Sequence, residues 1–225
     1  MPENTFIWDK PFEEAVNYFL AKGIMTREEF DRLNAAEKAK ALSAARVVAA
    51  DELQTVYDAC LAALEKGQTL GDFIRATENI LLRPWHQETV FRTNVLSAYG
   101  AGHWQQAQEA QALRPYARYS AVMDCRTRPS HAALHGLVFP LDHPFWLTYW
   151  PPWDYNCRCA AITLSQWEVD YQGLQVRSVM GPHLPTPAKK FQSPAIGGAW
   201  EPDYAKYATG LAAQLRQAVE KPIYD

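Results

Sequence analysis

The chain has 225 residues, 48% of them hydrophobic, which is enough for one sizeable domain or two small ones and excludes a disordered protein. Twenty-two Lys and Arg against twenty-five Asp and Glu leave a formal charge of -3, which excludes a surface built to coat nucleic acid nonspecifically while leaving room for a local DNA contact.

In chain order, MPENTFIWDKPFEEAVNYF lacks the basic start and unbroken apolar core of a secretory signal. No later stretch approaches the roughly 18 apolar residues of a membrane span. Four cysteines in such a chain read as reduced thiols or metal ligands, so cytoplasmic synthesis is expected. Phe12, Val16, Phe19 and Leu20 recur at helical spacing until Gly23. Thr26 and Glu29 form a capping box that opens a second helix through Phe30, Leu33 and Ala36. Leu53, Val56, Tyr57, Cys60, Leu61 and Leu64 make a third stripe ending before Gly67, which assigns Cys60 to the core. Leu70, Phe73, Ile74, Thr77 and Leu81 predict a short helix broken by Pro84, and a long one follows over 86–112, with Val90, Phe91, Val95, Leu96, Tyr99 and Trp104 on its apolar side.

After Arg114-Pro115 the texture changes to weak alternation (RYSAVMD), turn formers and aromatic residues. The stretch FPLDHPFWLTYWPPWDY is either a compact core with little regular structure or a docking surface. Residues 172–200 read as an irregular arm, and Tyr204, Tyr207, Leu211, Leu215 and Val219 as a final amphipathic helix. The expected fold is α+β and predominantly helical. It has a helical region at 1–88, a small loop-rich α+β domain at 89–170 held by a zinc staple, and an arm with a C-terminal helix at 171–225.

The chemistry concentrates in MDCRTRPSHAALHG and, some twenty residues on, YWPPWDYNCRC. Structural zinc takes four soft or borderline ligands in a tetrahedron, and Cys125, His131, Cys157 and Cys159 are the candidates. Only Arg158 separates the last two thiols, closer than the usual two to four residues. The competing reading makes Cys157 and Cys159 buried thiols at a strand start, with His131 bonded to a carbonyl or to Asp124. His131 and His135 have the spacing of zinc peptidases, but Ala132 stands where those enzymes need a general-base Glu. A metal-dependent nuclease using Asp124, His131, Asp154 and Asn156 is the better enzymatic rival, without a basic groove to support it. Neither a nucleophile elbow nor a phosphate-binding loop is present. Arg126, Arg128 and Arg158 are expected to pair with Asp124 or Asp154.

YSAVMDCRTRPSHAALHG followed by PPWDYNCRCAAITLS resembles the Mu F-like minor head family, also described as the phage head morphogenesis family. The family's pattern falls on Asp124, Arg128, His131, Gly136, Pro151, Pro152, Asn156, Cys157, Arg158 and Cys159, and the helix at 91–108 resembles the one that leads into the domain. The likeness covers 89–165. Cys125 and Asp154 depart from it, the latter standing where many members have His, so a three-ligand set or none also fits. The resemblance implies a minor head protein of a phage or prophage that acts in head morphogenesis near the portal. Portal and capsid proteins, and packaged DNA, are its implied partners. The virion and the bacterial host cytoplasm are its implied locations, and no catalytic residue is implied. A metal-dependent hydrolase is the alternative, and the delivery module of a larger toxin a third reading.

Overall fold

The computed structural model describes residues 12–20, 22, 50–80, 83–181 and 184–186. The helices predicted after Thr26 and after Tyr204 lie outside them. Helix α1 (Glu13–Leu20) turns Ala15, Val16 and Phe19 inward and leaves Leu20 exposed. In α2 (Ala50–Lys66), Leu53, Val56, Cys60 and Leu64 are buried as their spacing predicts, and Gly67 ends the helix with φ 65, a conformation that costs glycine little. Helix α3 (Leu70–Ala76) starts with a reciprocal capping box between Thr69 and Asp72 and ends at Thr77, whose hydroxyl donates to the Phe73 carbonyl. The sequence suggests that Pro84 breaks this helix; instead Pro84 opens the next one, α4 (Pro84–Glu109), at its first turn, where a missing N–H costs nothing.

These four helices share one core. Phe19 stacks on Tyr57 at 5.0 Å and Phe73 meets Phe91 at 5.1 Å. Helix α1 lies so close to α4 that a Cβ at Gly102 would fall 2.7 Å from Phe12 Cζ and 2.9 Å from the Ala15 nitrogen. Two polar groups buried along α4 find partners: Gln87 donates to the Thr77 hydroxyl at 3.1 Å and Asn94 to the Val90 carbonyl at 2.9 Å.

The second core begins on the far end of α4, where Trp104 and Ala107 meet a three-stranded antiparallel sheet ordered β2-β1-β3. The central strand β1 (Tyr116–Ser120) points Ala117 and Tyr119 inward; β2 (Val138–Pro140) pairs Val138 with Arg118, and β3 (Ala160–Leu164) pairs Ile162 with Arg118. Short helices α5 (Pro129–Ala132) and α6 (Phe145–Tyr149) sit in the connections. Helix α7 (Gln166–Tyr171) opens on a Ser165–Glu168 capping box, and Arg114 ties Glu168 to the Thr163 carbonyl. The fold is therefore mixed, several helices with one small sheet.

Burial decides the aromatic stretch. Phe139, Phe145, Trp146, Trp150 and Trp153 are at most 1% exposed, so they form the second core and not a docking surface. The Trp150 indole donates to the Gly100 carbonyl at 2.7 Å and packs on Trp104 at 4.8 Å, which joins this core to α4. Just after α7, Arg177 donates its N–H to the Val138 carbonyl at 2.9 Å and Val176 bridges Val138 along the edge of β2. Among the described residues no helix is long and apolar enough to cross a membrane.

Candidate metal centre

Two turns build the site. After β1, Met123 takes φ 60, and the Asp124 carboxylate then closes the turn by accepting the Arg126 N–H and the Thr127 hydroxyl, both at 3.0 Å. Arg128 precedes α5 and Pro129 starts it, which sets His131 on the inner face at 2% exposure. Gly136, at φ 80, returns the chain to β2. His135 stays outside the site because its Nδ1 accepts the Ala121 N–H at 3.1 Å.

The second turn follows Pro151 and Pro152, which are buried and joined by a cis peptide. Asn156 adopts φ 53, and the Cys157 N–H reaches back to the Asp154 carbonyl at 3.2 Å. Strand β3 starts at Ala160, just after Cys157-Arg158-Cys159, and both sulfurs lie towards His131. His131 Nδ1 lies 3.4 Å from Cys159 Sγ and 3.6 Å from Cys157 Sγ. The three ligand atoms all fall within 4.8 Å of one another. Cys125, expected as a fourth ligand, is exposed and is not part of this group: its turn is pinned outward by the Asp124–Arg158 pair.

The imidazole stacks on Trp153 at 4.3 Å, and Trp153 donates its indole N–H to the Tyr119 hydroxyl at 2.5 Å. His131 Nε2 is buried without a hydrogen bond, and its nearest acidic oxygen, Asp154 Oδ2, is 3.7 Å away. That same oxygen accepts Arg128 Nη1 at 2.7 Å, while Arg158 grips Asp124 with both Nη atoms at 2.7 and 2.6 Å. The Arg158 fork holds the Asp124 carboxyl far below the usual carboxylate range, so the arginines act as ion-pair partners. Asn156 donates to the Thr89 hydroxyl at 3.4 Å. Asp124, Asp154 and Asn156 are thus held by Arg158, Arg128 and Thr89, and among the described residues these three do not form a metal-holding group with His131.

A hydrogen bond from Cys157 is the main cause that draws the Cys159 thiol down to about 5; His131 and Tyr119 assist, and burial opposes. The same bond and burial push Cys157 upward, so Cys159 is the first of the pair to ionise. Tyr119 and Trp153 were not marked as site residues by the sequence; one sat in a weak strand pattern and the other in a run of aromatics, with no chemical signature to separate them from core.

The family described as Phage Mu protein F like protein matches residues 54–162, from α2 into β3. This starts well before the likeness legible from 89 onward, consistent with α2 and α3 sharing a core with α4. The chain is 36% identical over 190 residues to a proposed capsid assembly protein F of Escherichia phage Mu, a match covering 74% of this chain and 43% of the relative. It is 33% identical over 171 residues to the Mu-like prophage FluMu F protein of Haemophilus influenzae, covering 68% and 41%. The chain spans about two fifths of the length of these curated relatives. No solved structure gives a significant match.

Proposed function

Because the chain is a phage Mu F-like protein, we propose that it acts in assembly of the capsid of a phage or prophage, as a minor head protein and not as an enzyme. The observation that carries this reading is the 36% identity to a relative whose name assigns it to capsid assembly. The site supports a structural role. Its aspartates are held by arginines, whereas a hydrolase needs a free carboxylate placed as general base. In this role the chain works on the assembling head in the host cytoplasm and remains in the virion, near the portal, with portal and capsid proteins as partners and packaged DNA within reach.

Peptide mass spectrometry of gradient-purified procapsids and virions tests the proposal. The expected result is this chain in both, in far fewer copies than the major capsid protein. Its absence from both kinds of particle overturns the assembly role.

A further inference from the structure

We propose that His131, Cys157 and Cys159 bind one zinc ion through Nδ1 and the two sulfurs, that Asp154 orients the imidazole from its other nitrogen, and that the fourth position is open to a small exchangeable ligand, with Cys125 outside the set. The proposal is independent of capsid assembly.

The distances fit. Zinc bonds of ~2.3 Å to sulfur and ~2.0–2.1 Å to nitrogen in a tetrahedron place sulfur and nitrogen ~3.6 Å apart. The two Nδ1-to-sulfur distances are 3.4 and 3.6 Å. Hydrogen bonding alone accounts for the convergence less well: Nδ1 has one lone pair or one proton, and two sulfurs are aimed at it. A cation satisfies all three at once. Two thiolates and an imidazole are soft to borderline donors, which select zinc over magnesium or calcium.

The back of the histidine points the same way. A buried ring nitrogen without a partner costs about 1–3 kcal/mol, and Nε2 is in that position. When Nδ1 binds a metal, Nε2 carries the proton, and such protons are normally directed at a carboxylate that fixes the ring. Asp154 Oδ2 stands 3.7 Å away, itself anchored by Arg128, so a small closing movement completes the pair. Cys159 is only partly buried, which leaves the fourth position a route to solvent.

The experiment uses the full chain purified without a metal-binding tag. Elemental mass spectrometry is expected to find about one zinc per chain in wild type and in Cys125→Ser, and loss of zinc from Cys157→Ser and Cys159→Ser. In competition with a chromophoric chelator, Asp154→Asn is expected to bind zinc about 10- to 100-fold more weakly. Less than about a tenth of an equivalent in wild type after exposure to zinc overturns the site. Loss of zinc from Cys125→Ser overturns the three-ligand set, and unchanged affinity in Asp154→Asn overturns the orienting role. The wild-type and Cys125→Ser measurements do not depend on the other variants folding.

Discussion

Tyr119 links the core to the site through one hydroxyl. It accepts the Trp153 indole proton and lies against Cys159, and the ring is fully buried. In Tyr119→Phe the indole N–H keeps its burial and loses its acceptor, so urea unfolding should show a loss of about 1–3 kcal/mol; a change within a few tenths would mean the bond contributes nothing. Glu168 makes a prediction about acid. Backbone and hydroxyl bonds from Ser165, then Arg114, hold its carboxyl down to about 2, below the unfolded value of about 4.3. Its contribution is therefore complete above about 4.3 and lost as pH falls through about 2. Melting temperatures measured from neutral to strongly acid pH should fall less steeply in Glu168→Gln than in wild type, and parallel curves would remove Glu168 from the account.

At the scale of elements, the closest approach is between α1 and α4. Ala at Gly102 gains up to about 1 kcal/mol of helix propensity, but its methyl meets the Ala15 backbone as well as the Phe12 ring. Overpacking of this kind costs about 1–3 kcal/mol, so Gly102→Ala should lower the urea midpoint, and an unchanged or raised midpoint would show that α1 is free to move away. Helix α2 is legible because it buries a stripe with one period, through Leu53, Val56, Cys60 and Leu64. Pro84 is a start and not a stop, and residue type does not tell the two apart, since a proline at the first turn and one after the last leave similar traces in sequence. His131, Cys157 and Cys159 were legible as chemistry, but their convergence was not. It depends on the turns at Met123 and Asn156, both left-handed, which residue type does not specify. Cys125 has the chemistry of a soft ligand, but it is exposed and lies outside the His131, Cys157 and Cys159 group. Composition could not separate an aromatic core from an aromatic surface; the indole bonds to Gly100, Pro140 and Tyr119 put Trp150, Trp146 and Trp153 inside.

In the molecule as a whole, α4 belongs to both cores: Val90 and Val95 pack with the helices, Ala107 with the sheet. Two cores on one rigid element should melt together. The buried tryptophans Trp146, Trp150 and Trp153 report the second core by fluorescence, while the long helices dominate far-UV circular dichroism; the two midpoints in urea should coincide, and separated midpoints would show α4 transmitting little between them. The same element also sets an order in time. Gln87 reaches Thr77 across 10 residues, whereas Arg114 reaches Thr163 across 49, and closing the longer loop sacrifices more chain entropy. Contacts between α3 and the first half of α4 should therefore be present when the rate-limiting barrier is crossed, with the strands pairing on a surface already standing. Substitutions beneath α3 would then slow folding, and those in the His131 turn would chiefly hasten unfolding.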